Sequence, residues 1–128
     1  MRYFPKITFS KVICFLIISI WMAGVLGYGQ WERQNVIEYD TEGYYCYLPA
    51  LFIYKDLSFN FTDNLPPKKR KHYYVHETPG SGKAVKMSLG LAILYTPAFL
   101  VTHSLAYMLN YQPDGYSAIY HLGISLAP

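Results

Sequence analysis

Two apolar stretches, each long enough to cross a bilayer, decide what this chain can become. Val12 to Gly29 runs for 18 residues without a charge, and a spanning helix needs about 20, with a range of about 17–25. Ala84 to Leu109 is the second stretch, with Lys86 near its start and Pro97 at its middle. Proline there kinks or breaks a helix, which membrane helices tolerate when neighbours satisfy the freed carbonyl. A third apolar run, Tyr116 to Pro128, stops after 13 residues. That is too short to span, so it reads as the start of a truncated third membrane helix. The patterning predicts an all-α membrane protein with two transmembrane helices and part of a third. The chain is expected to be a piece of a longer protein.

Composition agrees with a bilayer environment. Charged residues are 15% and hydrophobic ones 52%, against about 25% and 45–50% in soluble domains. Fourteen tyrosines raise the aromatic share to 18%, and such amphipathic rings gather at membrane–water boundaries. The net charge of +3 is small, and the basic residues are not spaced as a nucleic-acid footprint. Nucleic acid is excluded as a partner on that ground. Cys14 lies inside the first apolar stretch and Cys46 among tyrosines, with no metal-finger or Cys-x-x-Cys spacing. Both read as free thiols.

The rival for the first stretch is a secretory signal peptide. Arg2, Lys6 and Lys11 make a basic start, and Gly27-Tyr28-Gly29 could pass as a cleavage site. The apolar run is longer than the usual 7–15 residues, and it contains Trp21 with an expected interfacial Trp31 just beyond. A retained anchor fits better. The basic flank at 1–11 sets that end in the cytoplasm, and the 54-residue loop 30–83 outside it. Lys68, Lys69, Arg70, Lys71 and Lys83 pull the other way, but the first helix usually dominates. The protein is thus expected in the cytoplasmic (inner) membrane, multi-pass, with the bilayer as its first partner.

Within the loop, Pro49 to Asp56 could form a short interfacial helix, with Leu48, Leu51, Phe52 and Phe59 on one side. Residues 57–66 read as an extended, mobile connection, and 110–115 as a turn. Several motifs invite chemistry and fail. Pro79-Gly80-Ser81-Gly82-Lys83 lacks the phosphate-loop glycine, since Glu77 stands there, and Ala84 follows the lysine. His72 and His76 have a metal-like i,i+4 spacing only if helical, and Tyr73-Tyr74-Val75 between them reads as strand. His103 lies on the second span but about 9 Å from its end at 1.5 Å per residue. A packing or hydrogen-bonding role suits it better than an intramembrane site.

The run Glu38-Tyr39-Asp40-Thr41-Glu42-Gly43-Tyr44-Tyr45-Cys46-Tyr47-Leu48-Pro49-Ala50 is the strongest functional lead. Carboxylates held close to a membrane face cost desolvation energy unless something there needs them. Read without any relative, they are a solvated acidic turn. Glu38 and Asp40 form an acid-x-acid pair that could hold a divalent cation, but one pair supplies too few ligands to assign a metal. The cofactor stays unknown. Lys68-Lys69-Arg70-Lys71 could meet a phosphate or anionic headgroups, or simply keep the loop solvated.

The pattern Asp40-x-x-Gly43-Tyr44-Tyr45-x-Tyr47-Leu48-Pro49-Ala50-x-Phe52-Ile53-Tyr54-x-Asp56-Leu57 resembles bacterial multi-pass glycosyltransferases of the GT-C class. Gly90 to Ala106 and Tyr111 to Ser117 also look like the second span and next loop of that group. The likeness runs in order over about residues 12–128, although such enzymes have eight or more spans. It implies transfer of a sugar from a polyprenyl-phosphate carrier to an acceptor on the outer side of the membrane. Asp40 is then catalytic, a partly desolvated base for the acceptor hydroxyl, with Glu38 and Glu42 supporting it. Tyr44, Tyr45, Lys68, Lys69 and Arg70 are the candidate substrate-binding residues. The alternative is a small noncatalytic polytopic membrane protein that scaffolds a complex. A cleaved, secreted loop domain is disfavoured because 84–109 would remain in the membrane.

Overall fold

The computed structural model describes residues 9–80 and 82–127. Arg2, Lys6, Ser81 and Pro128, on which parts of the topology, phosphate-loop and third-span expectations rest, lie outside the described residues. The chain is mostly helical. Helix α1 spans Phe9–Tyr28, and none of its residues is buried. Its rings and aliphatic side chains, Phe15, Ile17 and Ile20 among them, are exposed all round. Helix α5, Gly90–Met108, behaves differently. Ala92, Phe99, Thr102 and Ala106 form a buried stripe, at spacings of seven, three and four, while Ile93, Leu94, Leu100 and Val101 face out. Both helices are long and apolar enough to cross a membrane.

Between them lies a folded segment. Helix α2, Asp40–Tyr45, runs into α3, Tyr47–Phe52. A 3-10 turn, Asn60–Asn64, and a single helical turn, α4 at Pro67–Arg70, follow. Strands β1, Val75–Thr78, and β2, Gly82–Val85, form an antiparallel hairpin that pairs Val75 with Val85 and Glu77 with Lys83. After α5, Asn110 and Gly115 take left-handed backbone, and α6 covers Ala118–Ser125. Helix α6 packs on α5 where Gly123 meets Thr102, an approach that leaves no room for a Cβ.

The structure corrects three expectations about the loop. The chain is not purely α, because the hairpin takes Ala84 and Val85 and delays α5 to Gly90. The helix expected at 49–56 sits at 47–52 and is packed inward: Leu48, Pro49 and Ala50 are buried, whereas Leu51 and Phe52 are exposed. Phe59 joins Leu48 in the core, so the four apolar residues do not share a side. Residues 57–66 are also structured. Asp56 accepts backbone N–H bonds from Ser58 and Phe61, and Phe59 packs edge-on or tilted against Tyr47, Phe61 and Tyr73. Aromatic edge and face contacts of this kind stabilise by about 0.5–1.5 kcal/mol each beyond area burial.

Candidate functional site

The segment leaving α1 is pinned by two backbone bonds. Val36 N–H and Ile37 N–H both donate to His121 Nδ1 on α6, at 3.2 and 3.0 Å. A ring nitrogen that accepts twice carries no hydrogen, so the His121 proton is assigned to Nε2. Ile37 is buried beside this junction. Tyr39 then takes φ 53° and ψ −125° at the head of α2, a conformation that costs a non-glycine residue on the order of 1–3 kcal/mol. Its ring stands 84% exposed.

This pinned segment forms one wall of a polar cleft of about 420 Å³. Glu38, Glu42, Arg33, Lys71, His72 and His121 are in its lining. Glu42 is only 6% exposed, and its carboxylate is hydrogen-bonded to His72 Nδ1. A glutamate is rarely buried so deeply unless paired, and the imidazole is that pair. The His72 ring in turn stacks on Tyr116, centroids 4.4 Å apart and planes at 17°. The Tyr116 hydroxyl donates to the His72 carbonyl at 3.4 Å. Carboxylate, imidazole and phenol ring thus hold one another, from α2, the turn before β1 and the loop before α6.

The three acids fare differently. Glu42 is buried in the cleft wall, while Glu38 is exposed at its rim. Asp40 is exposed as well, and lines a neighbouring groove with Tyr39, Tyr74, His76 and Lys86. The desolvated carboxylate expected at Asp40 is therefore found two residues later. Residues i and i+2 do not share a helix face, and α2 turns Glu42 inward and Asp40 outward. Among the described residues no group of His, Cys, Asp and Glu side chains could hold a metal ion.

The substrate-binding candidates divide too. Tyr45 is corrected to a core residue: it is fully buried, donates its hydroxyl to the Gly115 carbonyl at 2.6 Å and packs edge-on to Phe99 and Tyr116. Burial pushes its phenol well above the ordinary tyrosine range. Tyr44 is half-buried. Lys69 is held by Asp114 at 3.2 Å and Arg70 by Asp63 at 3.0 Å, so neither cation is idle. Asp63 also takes Lys83 at 2.6 Å, and that bond holds its carboxyl below the usual carboxylate range. Lys68 is exposed, without an ion pair among the described residues. Two of the four cations of the basic run are thus taken up in internal pairs.

Sequence reasoning weighed His72 only as a metal ligand beside His76, and passed over His121. A buried glutamate thirty residues from a histidine leaves no local trace, and His121 sits in an apolar run where it reads as an isolated polar residue. Outside the site, His103 Nδ1 shares a 2.5 Å hydrogen bond with the Tyr120 hydroxyl. Comparison with protein-family models, curated proteins and solved structures gives no match in any of the three.

Proposed function

We propose that the chain is the N-terminal part of a multi-pass glycosyltransferase of the GT-C class in the cytoplasmic membrane. In this reading α1 and α5 are transmembrane helices, α6 begins a third, and α3 rides near the outer interface. The site between them transfers a sugar from a polyprenyl-phosphate carrier to an acceptor on the outer side. The observation that supports it most is the polar cleft, with Glu38 and Glu42 in its lining, a few residues beyond an apolar helix that buries no side chain in the protein. A helix apolar on every side needs lipid or other helices around it, and a cleft at that depth suits a lipid-linked donor and a water-borne acceptor. The noncatalytic scaffold gives no reason to bury Glu42 against His72.

Transfer forms a bond from the acceptor oxygen to the anomeric carbon and breaks the bond from that carbon to phosphate. The leaving phosphate keeps the electron pair, and the acceptor proton passes to a base. Positive charge builds on the sugar meanwhile. The resemblance makes Asp40 the catalytic carboxylate, and it lines the groove next to the cleft. Glu38 and Glu42 support it. The test is Asp40→Asn in the full-length protein, which keeps size and removes charge. Turnover is expected to fall by about 10²–10⁴ with normal accumulation in the membrane. Turnover within a few-fold of wild type sinks the role of Asp40, and lost accumulation makes the acidic turn structural.

A further inference from the structure

The transfer reaction needs a group to take the acceptor's proton, and the exposed Asp40 is not the residue the cleft holds ready for it. We propose that His72 is that base and that Glu42 is its positioning residue, an inference that rests on the glycosyl-transfer reading of the cleft. The carboxylate of Glu42 meets His72 Nδ1 from a buried position. A carboxylate can only accept a hydrogen bond, so Nδ1 carries the hydrogen, and whenever the ring is neutral its lone pair is on Nε2. Nε2 has no hydrogen-bond partner among the described residues and is not sealed from the cleft that His72 lines.

Orientation is fixed on the other sides as well. The Tyr116 ring lies flat against the imidazole and its hydroxyl reaches the His72 backbone. The remaining charged or titratable groups around the cleft are Arg33, Glu38, Tyr39, Lys71, Tyr74 and His121. His121 is already committed, since its Nδ1 accepts from Val36 and Ile37. A carboxylate that orients an imidazole whose second nitrogen faces the reacting hydroxyl is the arrangement that activates oxygen nucleophiles on unrelated folds. Here the acceptor O–H gives its proton to Nε2 while its oxygen bonds to the anomeric carbon. The sugar–phosphate bond breaks, and the carrier phosphate leaves with the electron pair.

The experiment uses the full-length protein in lipid nanodiscs, a radiolabelled hexose on polyprenyl phosphate as donor, and native membrane extract as acceptor. His72→Ala is expected to lose about 10²–10⁴ in kcat with KM within a few-fold, and free imidazole is expected to restore part of the loss. Glu42→Gln is expected to lose less. Turnover of His72→Ala near wild type, or a loss that imidazole leaves untouched, overturns the assignment. Nitrogen NMR of labelled histidine in the wild-type protein reads the ring without any turnover. Hydrogen on Nδ1 of His72 supports the pair, and hydrogen on Nε2 alone overturns it. Wild-type protein that transfers no sugar sinks the glycosyl-transfer reading itself and this proton's destination with it. Transfer by wild type alongside an indifferent His72→Ala removes the base alone.

Discussion

Glu42 and Cys46 occupy successive turns of one buried surface, and each feels the other. The Cys46 thiol donates to the Gly43 carbonyl at 3.2 Å, and Glu42 accepts the Cys46 backbone N–H at its own carbonyl, 2.9 Å away. Burial, then the Glu42 charge, pushes the thiol from its ordinary 9.0 up to about 12. Because the folded value is raised, the neutral thiol belongs to the folded state. Its contribution to stability is whole below about pH 9 and is lost as the pH climbs toward about 12. Native protein is therefore expected to leave Cys46 unlabelled by a thiol reagent at neutral pH, with full labelling once denaturant unfolds it. Rapid labelling of the native thiol contradicts its burial. At this scale the sequence pointed to the run around Asp40, and within that run Glu42, not Asp40, is the buried acid. Burial of Glu42 depends on His72 and Tyr116, both remote in the chain, and no local spacing encodes that.

Elements were legible where one periodicity ran unbroken. Helix α1 and most of α5 follow from apolar length alone, and Pro97 sits inside a continuous α5. Thr96, Thr102 and Ser104 fold their hydroxyls back onto the helix carbonyls of Ala92, Ala98 and Leu100 at 2.9 Å each, so these polar groups are satisfied within an apolar helix. The start of α5 was misplaced because Ala84, Val85 and Met87 extend the apolar run without belonging to the helix. Strand pairing of Val85 with Val75 decides that boundary, and pairing is not a local property. The 3-10 turn was hidden for a similar reason: Phe59, at its head, is buried among the rings of Tyr47 and Tyr73 from other segments. The α5–α6 contact offers a direct test. Gly123→Val would drive a side chain into Thr102, and overpacking of this kind costs about 1–3 kcal/mol. Thermal unfolding in detergent should show a clear loss of stability. An unchanged melting temperature would mean that α6 does not lie against α5 at this point.

At the scale of the whole molecule, the polar segment folds as a unit against α5. Tyr45, Phe99, Tyr116 and Tyr120 join α2, α5 and the α6 region in one aromatic core, while α1 contributes no buried residue. His121, through Val36 and Ile37, ties the segment leaving α1 to that core. Gly115, at φ 87° with Pro49 beside it, sits in the turn that brings Tyr116 against Tyr45 of α2 and leads into α6 on α5. The general plan, apolar helices around a tyrosine-rich acidic segment, was visible in the sequence. The cleft was not, since its walls come from three separate stretches of the chain, 33–42, 71–74 and 116–121. The central claim is that α1 and α5 cross the bilayer and hold this segment on the outer face. It is tested by placing a cysteine at Asn64, an exposed residue at the end of the 3-10 turn, in a Cys46→Ala background. The account predicts labelling by a membrane-impermeant thiol reagent in intact cells. Labelling only after permeabilisation would contradict it.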